Sequence, residues 1–172
     1  MGKDHLIVDT NVPLKASDTN PKDEIDRDCS FACLEFIKKL MNSNDIIVID
    51  SENEILKEYL KHMKKLRFDQ NIATEFFKWV LMNKATNRVQ EYKITKTADN
   101  TYVEFPESPE LNDFDLSDRK FVALAKAHPL HPCIYNGSDT DWWDYKEALE
   151  KEGIHIVFLC EKYMIAKSKK KW

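Results

Sequence analysis

The chain predicts an α/β fold, a mostly parallel sheet of four to five strands covered by helices on both faces. Three observations carry that prediction. Short aliphatic runs alternate with longer segments of helical periodicity. The aliphatic runs are continuous enough to be buried strands rather than half-exposed ones. Turn-forming residues separate the elements, with no internal repeat and no domain linker. At 172 residues the chain fits one domain with a sizeable core.

The first run, His5-Leu6-Ile7-Val8, ends in Asp9-Thr10-Asn11-Val12. A buried strand there delivers Asp9 and Asn11 at its carboxyl end, where parallel sheets keep their sites. Residues 17–27 are polar and read as a loop or a short irregular insertion. From about Asp28 to Met41, Phe31, Leu34, Ile37 and Met41 recur at helical spacing, and Asn42-Ser43-Asn44 stops that helix. A second strand over 45–50 completes a β-α-β unit.

Ser51 then opens a helix to about Leu66, with Ile55, Leu56, Tyr59, Leu60, Met63 and Leu66 on one face. Ser51 and Glu54 match a capping box, which accounts for Glu54 without chemistry. Asp69 is expected to cap another helix carrying Ile72, Phe76, Trp79 and Val80. Residues 88–105 alternate, and Ala98-Asp99-Asn100 suggests a hairpin or two short extended pieces. After a loop over 106–115, a helix is predicted from about Ser117 to Ala127 and a strand over 132–135. A polar turn, Asn136 to Asp141, leads into a helix ending near Glu152. Gly153 is placed for its C-cap, and 154–159 form a last strand. The domain is thus expected over 1–160, with 161–172 as a basic, frayed tail.

Composition narrows the function. Hydrophobic residues make up 42% and charged ones 33%, ordinary for a soluble globular protein. With three glycines there is neither a Walker nor a Rossmann phosphate loop, which disfavours ATP or NAD binding by those devices. The net charge of -4 does not advertise nucleic-acid binding. Basic residues nevertheless cluster at Lys57, Lys61, Lys64, Lys65 and Arg67, and again from Lys162 through Lys171. Cys29, Cys33, Cys133 and Cys160 follow no secretory signal, so reduced thiols and a cytoplasmic location are expected. Cys29 and Cys33 lack a matching pair at zinc-finger spacing and read as core packing. No apolar run approaches the ~18 residues of a membrane span, and Leu6 stands where myristoylation needs Ser or Thr.

Acids fall where such a sheet keeps its sites. Asp9 ends the first strand, and Asp139 and Asp141 follow the strand near residue 134. Asp118 begins a helix on the face of its core stripe, and Glu58 borders an apolar helix face. Each has a harmless reading alone: a turn former, a helix-dipole acid, a surface ion pair. Gathered in one cleft, four carboxylates would raise each other's pKa values, a penalty that a hard divalent cation removes. All-oxygen ligands suit Mg²⁺ or Mn²⁺ rather than zinc.

On these residues the chain resembles the PIN-domain ribonucleases. The matching motifs are Leu6-Ile7-Val8-Asp9-Thr10-Asn11-Val12; Ser51 to Tyr59, with Glu58 as the acidic ligand; Leu116 to Ala125, with Asp118; and Asn136 to Trp142, with Asp139 and Asp141. The resemblance runs from about His5 to Leu159. It implies a three-layer α/β/α domain and metal-dependent hydrolysis of RNA phosphodiester bonds. Asp9, Asp118 and Asp139 would hold Mg²⁺ or Mn²⁺, with Glu58 and Asp141 completing the shell or positioning water. Glu54 is the fallback for Glu58. Thr10, Asn11 and Ser138 would orient ligands, and Lys57, Lys61 and Lys65 would guide the RNA backbone. The implied partners are single-stranded RNA, an antitoxin or other regulatory protein, and further copies of the chain. Two readings compete. A catalytically silent PIN-like module would bind RNA or protein. A phosphatase or phosphotransfer domain would use Asp9 as nucleophile, but that pattern wants a second Asp where this chain has Asn11.

Overall fold

The computed structural model describes residues 3–67 and 70–168. Five strands form one all-parallel sheet: β1 (His5–Val8), β2 (Ile46–Asp50), β3 (Val89–Tyr92), β4 (Cys133–Asn136) and β5 (Ile156–Phe158). Their order is β3-β2-β1-β4-β5, so the first strand is central and paired on both edges. Such a strand has no water-facing side, and Leu6, Ile7 and Val8 are accordingly buried. Helices flank the sheet in a three-layer α/β/α sandwich, as expected from the strand–helix alternation.

The short α1 (Asn11–Ala16) turns directly out of β1 and packs on α2 (Glu24–Asn42). Two expectations change here. The polar segment 17–27 is less irregular than its composition suggests, because α2 begins at Glu24, capped by Asp23 accepting from the Asp26 N–H at 2.8 Å. Lys15 on α1 pins the segment through Asp26 at 2.5 Å and Asp18 at 2.7 Å. The buried stripe of α2 is also rotated: Cys29, Cys33, Ile37 and Leu40 face inward, while Phe31 is 61% exposed. Cysteine behaves as a small hydrophobe, and two of them at helical spacing outweigh the phenylalanine. Phe36, one turn along, stacks on Tyr135 of β4 at 4.5 Å.

The next helix, α3 (Glu54–Lys65), begins later than Ser51 and lacks the expected capping box. Asp50 does that work from the end of β2. Its fully buried carboxylate accepts the N–H groups of Glu54 and Ile55, each at 2.8 Å. α4 (Ile72–Asn83) is capped by Asn71, which accepts from Thr74; Asp69 lies outside the described residues. β3 pairs parallel with β2, so 88–105 is not a simple hairpin. Antiparallel contact is confined to a Lys96–Tyr102 bridge around the predicted turn.

α5 (Arg119–Ala127) packs across β2 and β4 and is buried almost all round, with Phe121 through Ala125 inside. The helix expected to end near Glu152 is broken at Tyr145 into α6 (Thr140–Asp144) and α7 (Lys146–Lys151). Gly153 follows with φ of 78°, the left-handed conformation expected of a C-cap.

Residues 161–168 are not a tail. They form α8 (Glu161–Ser168), which buries Met164. Lys169, Lys170 and Lys171 lie outside the described residues. A disulfide joins Cys160, just before α8, to Cys29 of α2, which replaces the expectation of reduced thiols at these two positions. Cys33 is a free, buried thiol pushed up to about 12 by desolvation, and Cys133 is also free. Among the described residues no helix is long and apolar enough to cross a membrane.

Asp50 supports both the end of β2 and the start of α3. Asp50→Ala is expected to lower unfolding stability by about 2 kcal/mol, because two buried N–H groups lose a charged acceptor. Urea denaturation checks this, with Ser51→Ala, which removes the side chain of the absent capping box, expected to change little.

Candidate acidic metal site

Parallel pairing sets the carboxyl ends of β2, β1 and β4 side by side. The ladder runs one residue past β1, with the Asp9 N–H donating to the Tyr135 carbonyl at 3.0 Å. Asp9 is 3% exposed. Its Oδ1 accepts the Asn11 backbone N–H at 2.8 Å and the Asn11 side-chain amide at 2.5 Å. The other end of that amide reaches the loop after β4: Asn11 Oδ1 accepts the N–H groups of Gly137 at 2.7 Å and Ser138 at 3.3 Å. Gly137 is needed for this approach. A Cβ there would stand 2.9 Å from Asn11 Oδ1 and 3.1 Å from Cys33 Sγ. Asp9 Oδ2, by contrast, is buried with no hydrogen-bond partner among the described residues.

An orphaned carboxylate oxygen of this kind is costly unless protonated or held by a cation. Burial raises the Asp9 pKa well above the carboxylate range, and the charges of Asp118, Glu58 and Asp139 raise it further. The Asn11 N–H opposes them. Asp118, at the start of α5, is pushed up to about 7, first by burial and then by Asp139, Asp115 and Glu58. The structure therefore brings Asp9, Glu58, Asp118 and Asp139 into one electrostatic cluster. Asp139 also caps α6, accepting from the Asp141 N–H at 3.0 Å. Asp141 is exposed and is not among the principal charges acting on Asp9 or Asp118.

Glu58 differs from Asp9 because both its oxygens are engaged. Thr10 Oγ1 donates to Oε1, and the Lys120 ammonium pairs with Oε2. Lys120 is buried and also donates to the Ser117 carbonyl, so a cation is built into the wall of the cluster. Glu54, the alternative to Glu58, pairs with Lys57 at 2.6 Å and Lys96 at 2.8 Å. Neither Asp9 nor Asp118 feels it among its main perturbing charges. The Lys57 ammonium is thus committed to Glu54, whereas Lys61 and Lys65 are exposed. They follow Glu58 by three and seven residues, on the same side of α3.

Several contributors were missed in the sequence. Lys120 has no role of its own in the sequence motifs; its signal is that the five residues after it are all apolar, marking a helix buried almost all round. Tyr59, read only as core, donates its hydroxyl to the Val8 carbonyl at 2.8 Å, immediately before Asp9. Asn136 has no exposure and neither side-chain polar atom partnered. It falls opposite Asp9, one step beyond the Val8–Tyr135 pair. A polar residue at the end of a buried strand is the one signal that marks it.

Three carboxylates, Asp118, Glu58 and Asp139, act electrostatically on Asp9, and oxygen donors of this kind suit a hard divalent cation, yet among the described residues the group of ligand atoms already in metal-binding proximity is the sulfur one, Cys29, Cys33 and Cys160, and not the acidic one. No protein-family model, no curated protein and no solved structure matches this chain.

The raised carboxyls make metal-free stability depend on pH. Unfolded Asp titrates near pH ~3.9, whereas folded Asp118 titrates at about 7. Between those values folded Asp118 holds a proton that the unfolded chain has released, so its contribution to stability falls as pH rises and levels off above the folded value. In chelator, wild-type protein is expected to lose on the order of 2 kcal/mol between about pH 5 and about pH 8. Asp118→Asn should flatten that slope, and added Mn²⁺ should restore the loss at the alkaline end. Thermal melts across pH measure both.

Proposed function

We propose that this chain is a metal-dependent endoribonuclease of the PIN-like type, using Mg²⁺ or Mn²⁺. The observation that carries the reading is the buried, unpartnered Asp9 Oδ2 surrounded by the charges of Asp118, Asp139 and Glu58. Such an arrangement binds a cation or protons, and little else relieves it.

Asp9, Asp118 and Asp139 would hold the ion, which supplies a water of lowered pKa and offsets charge on the phosphate. The remaining residues set that centre. Asn11 fixes the Asp9 carboxylate through Oδ1 and leaves Oδ2 buried without a partner among the described residues. Thr10 and Lys120 hold Glu58, which orients water from a fixed position rather than serving as a freely moving ligand. Asp141, more exposed, belongs to the outer rim. Lys61 and Lys65 extend from Glu58 along α3 and offer phosphate contacts to a single strand of RNA. No protein nucleophile is required.

Asp9→Asn is expected to reduce Mn²⁺-dependent cleavage of single-stranded RNA to below about one hundredth of wild type while leaving the circular dichroism spectrum unchanged. The same variant should melt higher than wild type without metal, because a repelled charge is gone, and should lose the stabilisation that Mn²⁺ gives. Equal cleavage by the variant, or wild-type cleavage that survives chelator, would overturn the reading. Absence of cleavage together with intact Mn²⁺ stabilisation would identify a silent, metal-binding module instead.

A further inference from the structure

A second convergence of ligands lies behind the acidic cluster and contains no oxygen. Cys29 and Cys33 stand one turn apart on α2, so both sulfurs project from the same face. Cys160 comes to them from beyond β5, 131 residues after Cys29. The three sulfur atoms all lie within 4.8 Å of one another. The Cys29–Cys160 disulfide explains two of them. It does not explain the third, a buried thiol whose sulfur is 3.8 Å from Cys160 Sγ.

We propose that, once the Cys29–Cys160 bond is reduced, Cys29, Cys33 and Cys160 form a three-thiolate site for a thiophilic cation of the Zn²⁺ class. Sulfurs bound at about 2.3 Å around such an ion stand roughly 3.8 Å apart in tetrahedral geometry. The Cys33–Cys160 pair already has that separation. Cys29 reaches it when its bond to Cys160 opens and the two side chains rotate apart. Three protein sulfurs leave a fourth position for water or an external ligand, the pattern of open rather than closed zinc sites. That position has an approach: a pocket of about 420 Å³ lined by Cys29 and Cys160, with Asp28, Glu161 and Tyr163 at its walls. Burial holds Cys33 as a neutral thiol until a cation displaces its proton, and Lys15, held by Asp18 and Asp26, opposes that burial effect in part.

The chemistry balances with one co-reactant. A dithiol reductant passes two electrons and two protons to Cys29 and Cys160 and closes to its own disulfide. The arriving cation then displaces the thiol protons to solvent. The site is distinct from the carboxylates, although Gly137 touches both: the position of its absent Cβ is 3.1 Å from Cys33 Sγ, and its N–H serves Asn11.

The test uses the full chain, reduced with dithiothreitol, desalted without oxygen and kept in excess Mg²⁺ so that the carboxylates are occupied. Titration with Co²⁺ is expected to produce thiolate-to-cobalt charge-transfer absorption saturating near one ion per chain, which Zn²⁺ then abolishes. The oxidised chain should show none. Cys33→Ser should weaken the binding at least about tenfold and dim the band, whereas Cys133→Ser, outside the cluster, should match wild type. A measurement on wild type alone guards against a misfolded variant. Zn²⁺ should protect three of the four cysteines from alkylation, counted by intact mass. A reduced chain without charge-transfer absorption, an unaltered band in Cys33→Ser, or protection of fewer than three cysteines would overturn the proposal. Because carboxylate-bound cobalt gives no such band, neither outcome depends on the nuclease reading.

Discussion

Asp9 is a carboxylate buried at the end of the central strand, and the arrangement around it follows from that constraint. β1 is paired on both edges, so its last residues have no solvent to turn to. One oxygen of Asp9 is satisfied by Asn11, and the same side chain reaches the loop after β4 through Gly137 and Ser138. The residue that holds the acid therefore also fixes the loop carrying Asp139. Position and charge are set by one amide.

The electrostatics divide the acids into two kinds. Glu58 is neutralised within the protein by Lys120 and steadied by Thr10. Asp9 and Asp118 are not, and both are driven toward the protonated form by burial and by their neighbours. A cluster with every acid paired would be a structural salt-bridge network. Here Glu58 is paired, whereas burial and neighbouring acids hold Asp9 and Asp118 toward their protonated forms. That imbalance, rather than the number of acids, is what the proposed cation would relieve.

The two faces of the Gly137 turn explain why the region tolerates so little bulk. Asn11 presses on it from the acidic side and Cys33 from the sulfur side. The sulfur cluster also fastens α8 to α2 at the far end of the chain, which is how a segment of unremarkable amphipathicity comes to bury Met164 and pack beside α2.

By itself the sequence determined what depends on neighbours a few residues apart. The buried strands, the acid that ends β1, Asn11 after it, Asp118 before a helix with an apolar run over 121–125, and the left-handed Gly153 are all local patterns. Hydrophobic period and backbone preference write them directly into the chain. Only the tertiary structure decided matters that turn on residues far apart. It turned α2 so that Cys29 and Cys33 face inward and Phe31 faces water, because Cys160 and the sheet lie on that side. It gave the start of α3 to Asp50 rather than Ser51, since a buried strand end lay within reach of those N–H groups. It also put Lys120 on Glu58 across 62 positions of sequence. Periodicity says which face of an element is apolar; which charge or sulfur another element brings to that face is settled only by packing.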